Sequence, residues 1–198
     1  MQLRRFDNEK CSGRVIDSMK SGKTYCSLTV LLIGTLLLTS CVTSVVLENL
    51  VPDRFVGFYK KHPYSIRLAA GGGPEPNPHI TTITITNEEY QQALEATLKK
   101  AGVFSKITEG MDADYSLNVF IFDVEFTGVF ELTFKLESIW KLTHVGTGKV
   151  IMYKSIISSN TVTVGDAFVG VTRYRIVREG AVRKNIQSGI ESLSLLNL

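Results

Sequence analysis

An apolar run from Leu28 to Leu38, interrupted only by Thr29, Gly34 and Thr35, follows two lysines (Lys20 and Lys23) and gives out just before a cysteine, Cys41. No other feature constrains the chain as much, because it decides which residues can enter a folded domain. The run is too short for a membrane-crossing helix, which needs roughly 20 apolar residues. A basic stretch, a short apolar stretch and small residues at its end together make a secretory signal that is removed from the mature chain. Residues 1–40 are therefore read as an export segment. Residues 1–18 are polar and long for such a start, and Met19 is a natural alternative beginning. Gly22-Lys23-Thr24 matches the end of a phosphate-binding loop, but that pattern needs glycine where Asp17 stands.

Leu38-Thr39-Ser40-Cys41 resembles the lipobox of bacterial lipoproteins. The resemblance implies cleavage between Ser40 and Cys41, with diacylglycerol on the sulphur and a further fatty acid such as palmitate on the new N-terminus. In enterobacterial-type lipoproteins a residue other than Asp after the cysteine, here Val42, implies sorting to the outer membrane. The expectation is a chain held on the periplasmic face, with the lipid bilayer as one partner through acylated Cys41. Cys11 and Cys26 would leave with the signal, so the mature chain would have no disulfide, no thiol nucleophile and no cysteine metal site.

Charge narrows the partners further. Six of the 22 basic residues and three of the 19 acidic ones lie in residues 1–40, so the remainder is formally neutral. That removes the electrostatic footprint of a nucleic-acid binder.

Residues 41–63 read as a lipidated tether and residues 64–198 as a single periplasmic domain. Tyr64–Ala70 alternates like a strand, and Gly71 to Pro78 is a glycine- and proline-rich loop. Thr81–Thr86 reads as a strand or an extended lead-in. Thr86-Asn87-Glu88-Glu89 is a capping box. The helix after it places Tyr90, Ala93, Leu94, Thr97, Leu98 and Ala101 on one face and ends at Gly102. Three strands follow, over Tyr115–Thr127, Phe130–Leu142 and Lys149–Val164. The first puts Leu117, Val119 and Ile121 on one face, with Phe120, Phe122, Val124 and Phe126 on the other. It thus reads as a central strand covered on one side and contacted on the other. A final helix spans about Asp166 to Leu195, with a break expected near Gly170 or Gly180 because glycine weakens a helix interior.

Both helices need an apolar sheet face. The expected fold class is α/β (α+β): a two-layer sandwich, with two helices packed on one face of a roughly four-stranded, mixed, mainly antiparallel sheet. Leu94, Leu98, Phe134, Trp140 and Ile186 should share its core. Gly72-Gly73, Asn77-Pro78, Asn87 to Tyr90, Ala113-Asp114-Tyr115, Thr147-Gly148-Lys149 and Asp166 to Arg175 together resemble a family of uncharacterised Gram-negative lipoproteins. In element order alone the chain is similar to small envelope modules such as the lipopolysaccharide-assembly lipoprotein and the N-terminal domain of the Tol-system periplasmic protein. Such architecture implies no activity.

The inventory of reactive groups is thin. His62, His79 and His144 read as loop or turn residues without partner patterns. Asp112-Ala113-Asp114 begins like a calcium loop, but Ser116 and Leu117 stand where that loop needs Asp or Asn and then Gly. Asp123 and Glu125, two apart in a strand, share a face without a nucleophile to serve. The one notable cluster is Arg173, Arg175, Arg178, Arg183 and Lys184. Arg173, Arg175 and Arg178 are candidate contacts for an anionic lipid or lipopolysaccharide, against the cheaper reading that they bridge to sheet carboxylates. No catalytic residue, cofactor or metal is expected. The functional expectation is a non-enzymatic binding or assembly module of the cell envelope whose partner is another envelope protein. The alternative is a lipid or lipopolysaccharide carrier, which would need an apolar groove.

Overall fold

Three long strands in succession, each alternating apolar with polar residues and joined by tight turns, build an antiparallel meander. In the structure, a computed structural model that describes residues 46–53, 55, 59–73 and 85–198, this meander is one side of a larger sheet. Residues 1–40, read as an export segment, Cys41, residues 74–80 with His79, and Thr81 to Thr84 lie outside the described residues. The described elements are α1 (Leu47–Leu50), β1 (His62–Gly72), α2 (Asn87–Ala101), β2 (Phe104–Ile107), β3 (Tyr115–Thr127), β4 (Leu132–His144), β5 (Val150–Val162) and α3 (Gly170–Ser194). The sheet order is β2-β1-β3-β4-β5. β1 runs parallel to both its neighbours, while β4 is antiparallel to both β3 and β5.

The sandwich is the expected one, with one strand more than expected. β2 is only four residues long and follows α2 by a single turn, too short for alternation to declare itself. It brings Phe104 into the core, 7% exposed. α2 covers β1, α3 lies across β4 and β5, and the two helices touch. Leu94, Leu98, Phe134, Trp140 and Ile186 all belong to the single buried cluster between the layers. α2 begins at the expected capping box: the Thr86 hydroxyl accepts from the Glu89 N–H, and the Glu89 carboxylate accepts from the Thr86 N–H. Gly102 ends it, as expected.

Three expectations change. The described part of the segment read as a tether is packed down: Leu50 is fully buried, the Asn49 carbonyl accepts from Arg183, and the Pro52 carbonyl accepts from Lys100 at 2.8 Å. The first strand accordingly starts at His62, not Tyr64. Phe130 is not part of β4 but stands out of the β3–β4 turn, 79% exposed. Val124 and Phe126 change sides. A bulge between Ile121 and Asp123 adds one residue to the alternation, so Val124 and Phe126 join Leu117, Val119 and Ile121 against the core. Only Phe120 and Phe122 remain on the outer face.

The last helix starts at Gly170 and passes through Gly180 and Gly189 unbroken. Both glycines are required by close approach. A Cβ on Gly189 would collide with the Trp140 ring, and one on Gly180 with the Asn160 carboxamide. The helix accepts their cost of about 1 kcal/mol each because their absent side chains let it lie directly on the sheet.

Candidate functional site

The arginines of α3 are held by the protein itself. Arg173 Nη1 donates to the carbonyls of Val129 and Phe130 at 3.1 and 2.9 Å, fastening the start of α3 to the β3–β4 turn. Arg175 lies 3.9 Å from Glu179, one helical turn on. Arg178 is only 3% exposed. Burial pushes its guanidinium below the usual arginine range, and the carboxylates of Glu89 and Glu179 offset part of that. Arg183 donates to the Asn49 carbonyl, and Lys184 to the Ser159 carbonyl and the Asn160 side chain. Arg173, Arg183 and Lys184 thus meet backbone carbonyls and an amide oxygen, and Arg175 a helix carboxylate, where the sequence pattern had suggested sheet carboxylates.

The other singled-out residues have structural surroundings. His62 is a buried strand residue, contrary to the loop reading, and its Nε2 lies 3.0 Å from the Leu193 carbonyl. Its neighbour Pro63 turned attention to a loop, yet both belong to β1. His144 closes the β4–β5 hairpin, its Nδ1 accepting from the Thr147 N–H at 3.2 Å. Asp114 ties the start of β3 to β1: its carboxylate accepts from the N–H and the hydroxyl of Ser65, both at 2.7 Å. Those bonds hold its carboxyl below the usual carboxylate range. Asp112 and Asp114 lie in the loop from β2 to β3. Glu125 sits 3.7 Å from Lys135 on the outer face. No cluster of three or more His, Cys, Asp or Glu among the described residues is placed to hold a metal.

One open groove lies beside α2, lined by Gln91, Glu95, Lys99, Thr108 and Glu109 as well as Leu68 and Ile107. It is mainly polar, the opposite of what an acyl chain needs.

Apolar side chains gather instead on the sheet face turned away from the helices. Phe120 (51% exposed) stands beside Ile139 of β4, which stands beside Ser155 of β5. Tyr153 and Ile157 flank Ser155 on that strand, 68% and 60% exposed, and Phe122 rises from the bulge. Two phenylalanines, two isoleucines and a tyrosine thus populate one flank of a sheet whose other flank is already packed. Lys141, Glu137 and Asp123 surround them. This patch was half visible in the sequence: the double-sided apolar pattern of Tyr115–Thr127 announced an outer contact, but the bulge that decides which aromatics take part has no sequence signature. A second exposed group, Val129, Phe130, Phe168, Val169 and Val171, sits where the β3–β4 turn meets the start of α3.

No family model matches the sequence, and no curated protein matches it. Solved structures do. A DUF330 protein from Xanthomonas campestris superposes with a TM-score of 0.57 at 9% identity, covering 73% of this chain and 91% of that one. A minor lipoprotein from Acinetobacter baumannii gives 0.46 at 14% identity, over 68% of this chain and 92% of its own. A lipoprotein from Neisseria meningitidis gives 0.38 at 11% identity, over 50% and 84%. The first likeness defines the class of fold, an α+β sandwich of this topology.

Proposed function

We propose that the mature chain is a lipid-anchored protein of the cell envelope, on the periplasmic face of the outer membrane, that acts by binding and not by catalysis. The anchor is acylated Cys41. The observation that carries the binding reading is the apolar outer face of the sheet, where Phe120, Phe122, Tyr153 and Ile157 stand exposed. Exposed apolar residues gathered into one patch mark an interaction surface more often than isolated ones do. An aromatic and aliphatic centre within a charged surround is the usual anatomy of a protein–protein interface. The partner is therefore another envelope protein.

Two measurements test the two halves. Intact mass of the chain from membranes should show an N-terminus at Cys41 carrying diacylglycerol and fatty acid, and Cys41→Ser should be released from the membrane or left unprocessed. A mature chain beginning elsewhere without lipid overturns the anchor. For the surface, Phe122→Glu with Ile157→Glu should fold like wild type, both side chains being exposed, yet lose the envelope protein that wild type retains after cross-linking in intact cells. Equal recovery by both forms overturns that face as the interface.

A further inference from the structure

The five exposed apolar side chains at the start of α3 do not belong to the sheet patch. Phe168 is 87% exposed, Phe130 79% and Val129 73%, with Val169 and Val171 beside them. Val171 stands in the first turn of α3, and the other four lie on a loop and a turn, segments that ordinarily carry polar residues, and are held in place. Arg173 clamps the Val129 and Phe130 carbonyls. Asp166 accepts from the Thr163 N–H and hydroxyl at 2.8 Å, closing the loop in front of Phe168. The backbone beneath the exposed rings is therefore partly satisfied from within, which matters wherever water is scarce.

Where the N-terminal chain approaches supplies the second observation. The Val46 N–H points to Glu179 Oε1 at 3.5 Å. From there the chain runs past Arg183, through Asn49, toward the C-terminal end of α3, where His62 meets the Leu193 carbonyl. Glu179 lies nine residues from the start of α3 at Gly170, about 14 Å at 1.5 Å per residue. Leu195, at the other end, is sixteen residues away, about 24 Å. Four residues lie between Cys41 and Val46, so the five steps from one to the other span at most about 18 Å. Covalent length allows Cys41 to reach the level of the apolar rim and forbids it the opposite end.

We infer that this rim faces the bilayer and inserts Phe130 and Phe168 at its interface, beside the acyl chains on Cys41, so that the lipid anchor and the protein surface make a two-point attachment. The inference rests on the reading of Cys41 as the lipidated residue. A single acyl-type anchor leaves a domain free to swing, whereas a second apolar contact fixes which side faces the membrane. Asp166 and Glu131, on the same loop and turn, keep their charge at headgroup depth and hold the insertion to about 5–10 Å. The sheet patch then projects from the side of the domain, clear for a partner.

The test uses the processed, acylated chain in vesicles of phosphatidylethanolamine and phosphatidylglycerol with brominated acyl chains, its lipidation first read by mass. Trp140 is fully buried, so wild type supplies a constant background. Phe168→Trp and Phe130→Trp should each lose most of their added emission to the bromines, and Leu195→Trp, 81% exposed at the far end, should lose none. Loss of emission by all three, or by none while the chain stays bound, overturns the inference and leaves the anchor standing. Concentration-dependent self-association that Phe168→Asp abolishes also overturns it, giving the rim to a second copy. An unacylated chain, seen at the mass step, overturns the anchor and this inference together.

Discussion

Asn185 shows what one buried polar side chain can hold together. Its Oδ1 accepts from the Tyr90 hydroxyl at 2.7 Å and the Ser138 hydroxyl at 2.6 Å, and its Nδ2 donates to the Ile156 carbonyl at 3.0 Å. Trp140 Nε1 donates to Ser138 Oγ at 2.9 Å. One residue of α3 thus joins α2, β4 and β5 within an apolar layer. Asn185→Ala strands two hydroxyls and a carbonyl there, each costing about 1–3 kcal/mol, so urea denaturation should show a loss of at least about 3 kcal/mol. An unchanged midpoint would mean that water enters the site. The same burial raises the Tyr90 hydroxyl above its ordinary pKa of 10.0. The folded chain keeps this phenol neutral where the unfolded chain ionises it. Stability should therefore be intact below about pH 10 and fall above it, by up to about 1.4 kcal/mol per pH unit from this group. Tyr90→Phe should flatten much of that alkaline slope. Tyr59 and Tyr115 are shifted the same way and leave a remainder.

Elements separate into those written locally and those decided by neighbours. The boundaries of α2 were legible because the capping box and Gly102 are local chemistry. The three long strands were legible because each runs for 13 residues rich in apolar and β-branched side chains. β2 was not, at four residues, and neither was the bulge, which only a partner strand defines. Of the two break points the sequence offered in its last helix, Gly170 is where α3 begins, while Gly180 stays inside it for a related reason: the value of Gly180 and Gly189 lies in what they approach, not in the helix itself. Opposed magnitudes make this testable. Gly189→Ala gains about 1 kcal/mol of helix propensity but forces a methyl against the rigid, buried Trp140 ring, an overpacking cost of about 1–3 kcal/mol, so its melting temperature should fall. Gly180→Ala meets only a carboxamide, which can rotate at the expense of its bonds with the Ile176 carbonyl and Lys184. It should be tolerated better, and the reverse order would refute this account of the helix seat.

At the scale of the whole molecule, the position of β1 sets how the domain answers a pull. The candidate site was only partly legible because it depends on this assembly: Phe120 and Phe122 face out only once β1, β3 and β4 are in register. β1 is an inner strand, bonded on one side to β2 and on the other to β3. Among the described residues, the segment before it is held more lightly, by the burial of Leu50, by bonds to the carbonyls of Asn49 and Pro52, and by Lys60 donating to the Leu196 carbonyl and the Asn197 side chain. Tension applied through the N-terminal end meets these in turn. The segment should peel from α3 first, at low force. The load then reaches a strand that can leave only by breaking two ladders at once. Single-molecule stretching between Val46 and Leu198 should show a small early extension followed by one large rupture, and a single event would place both steps in one cooperative unit. In mechanical terms the described residues ahead of β1 should behave as a reel of spare chain. Peeling them should lengthen the reach of the domain while the fold stays whole, and the first extension should be recovered when the force is released.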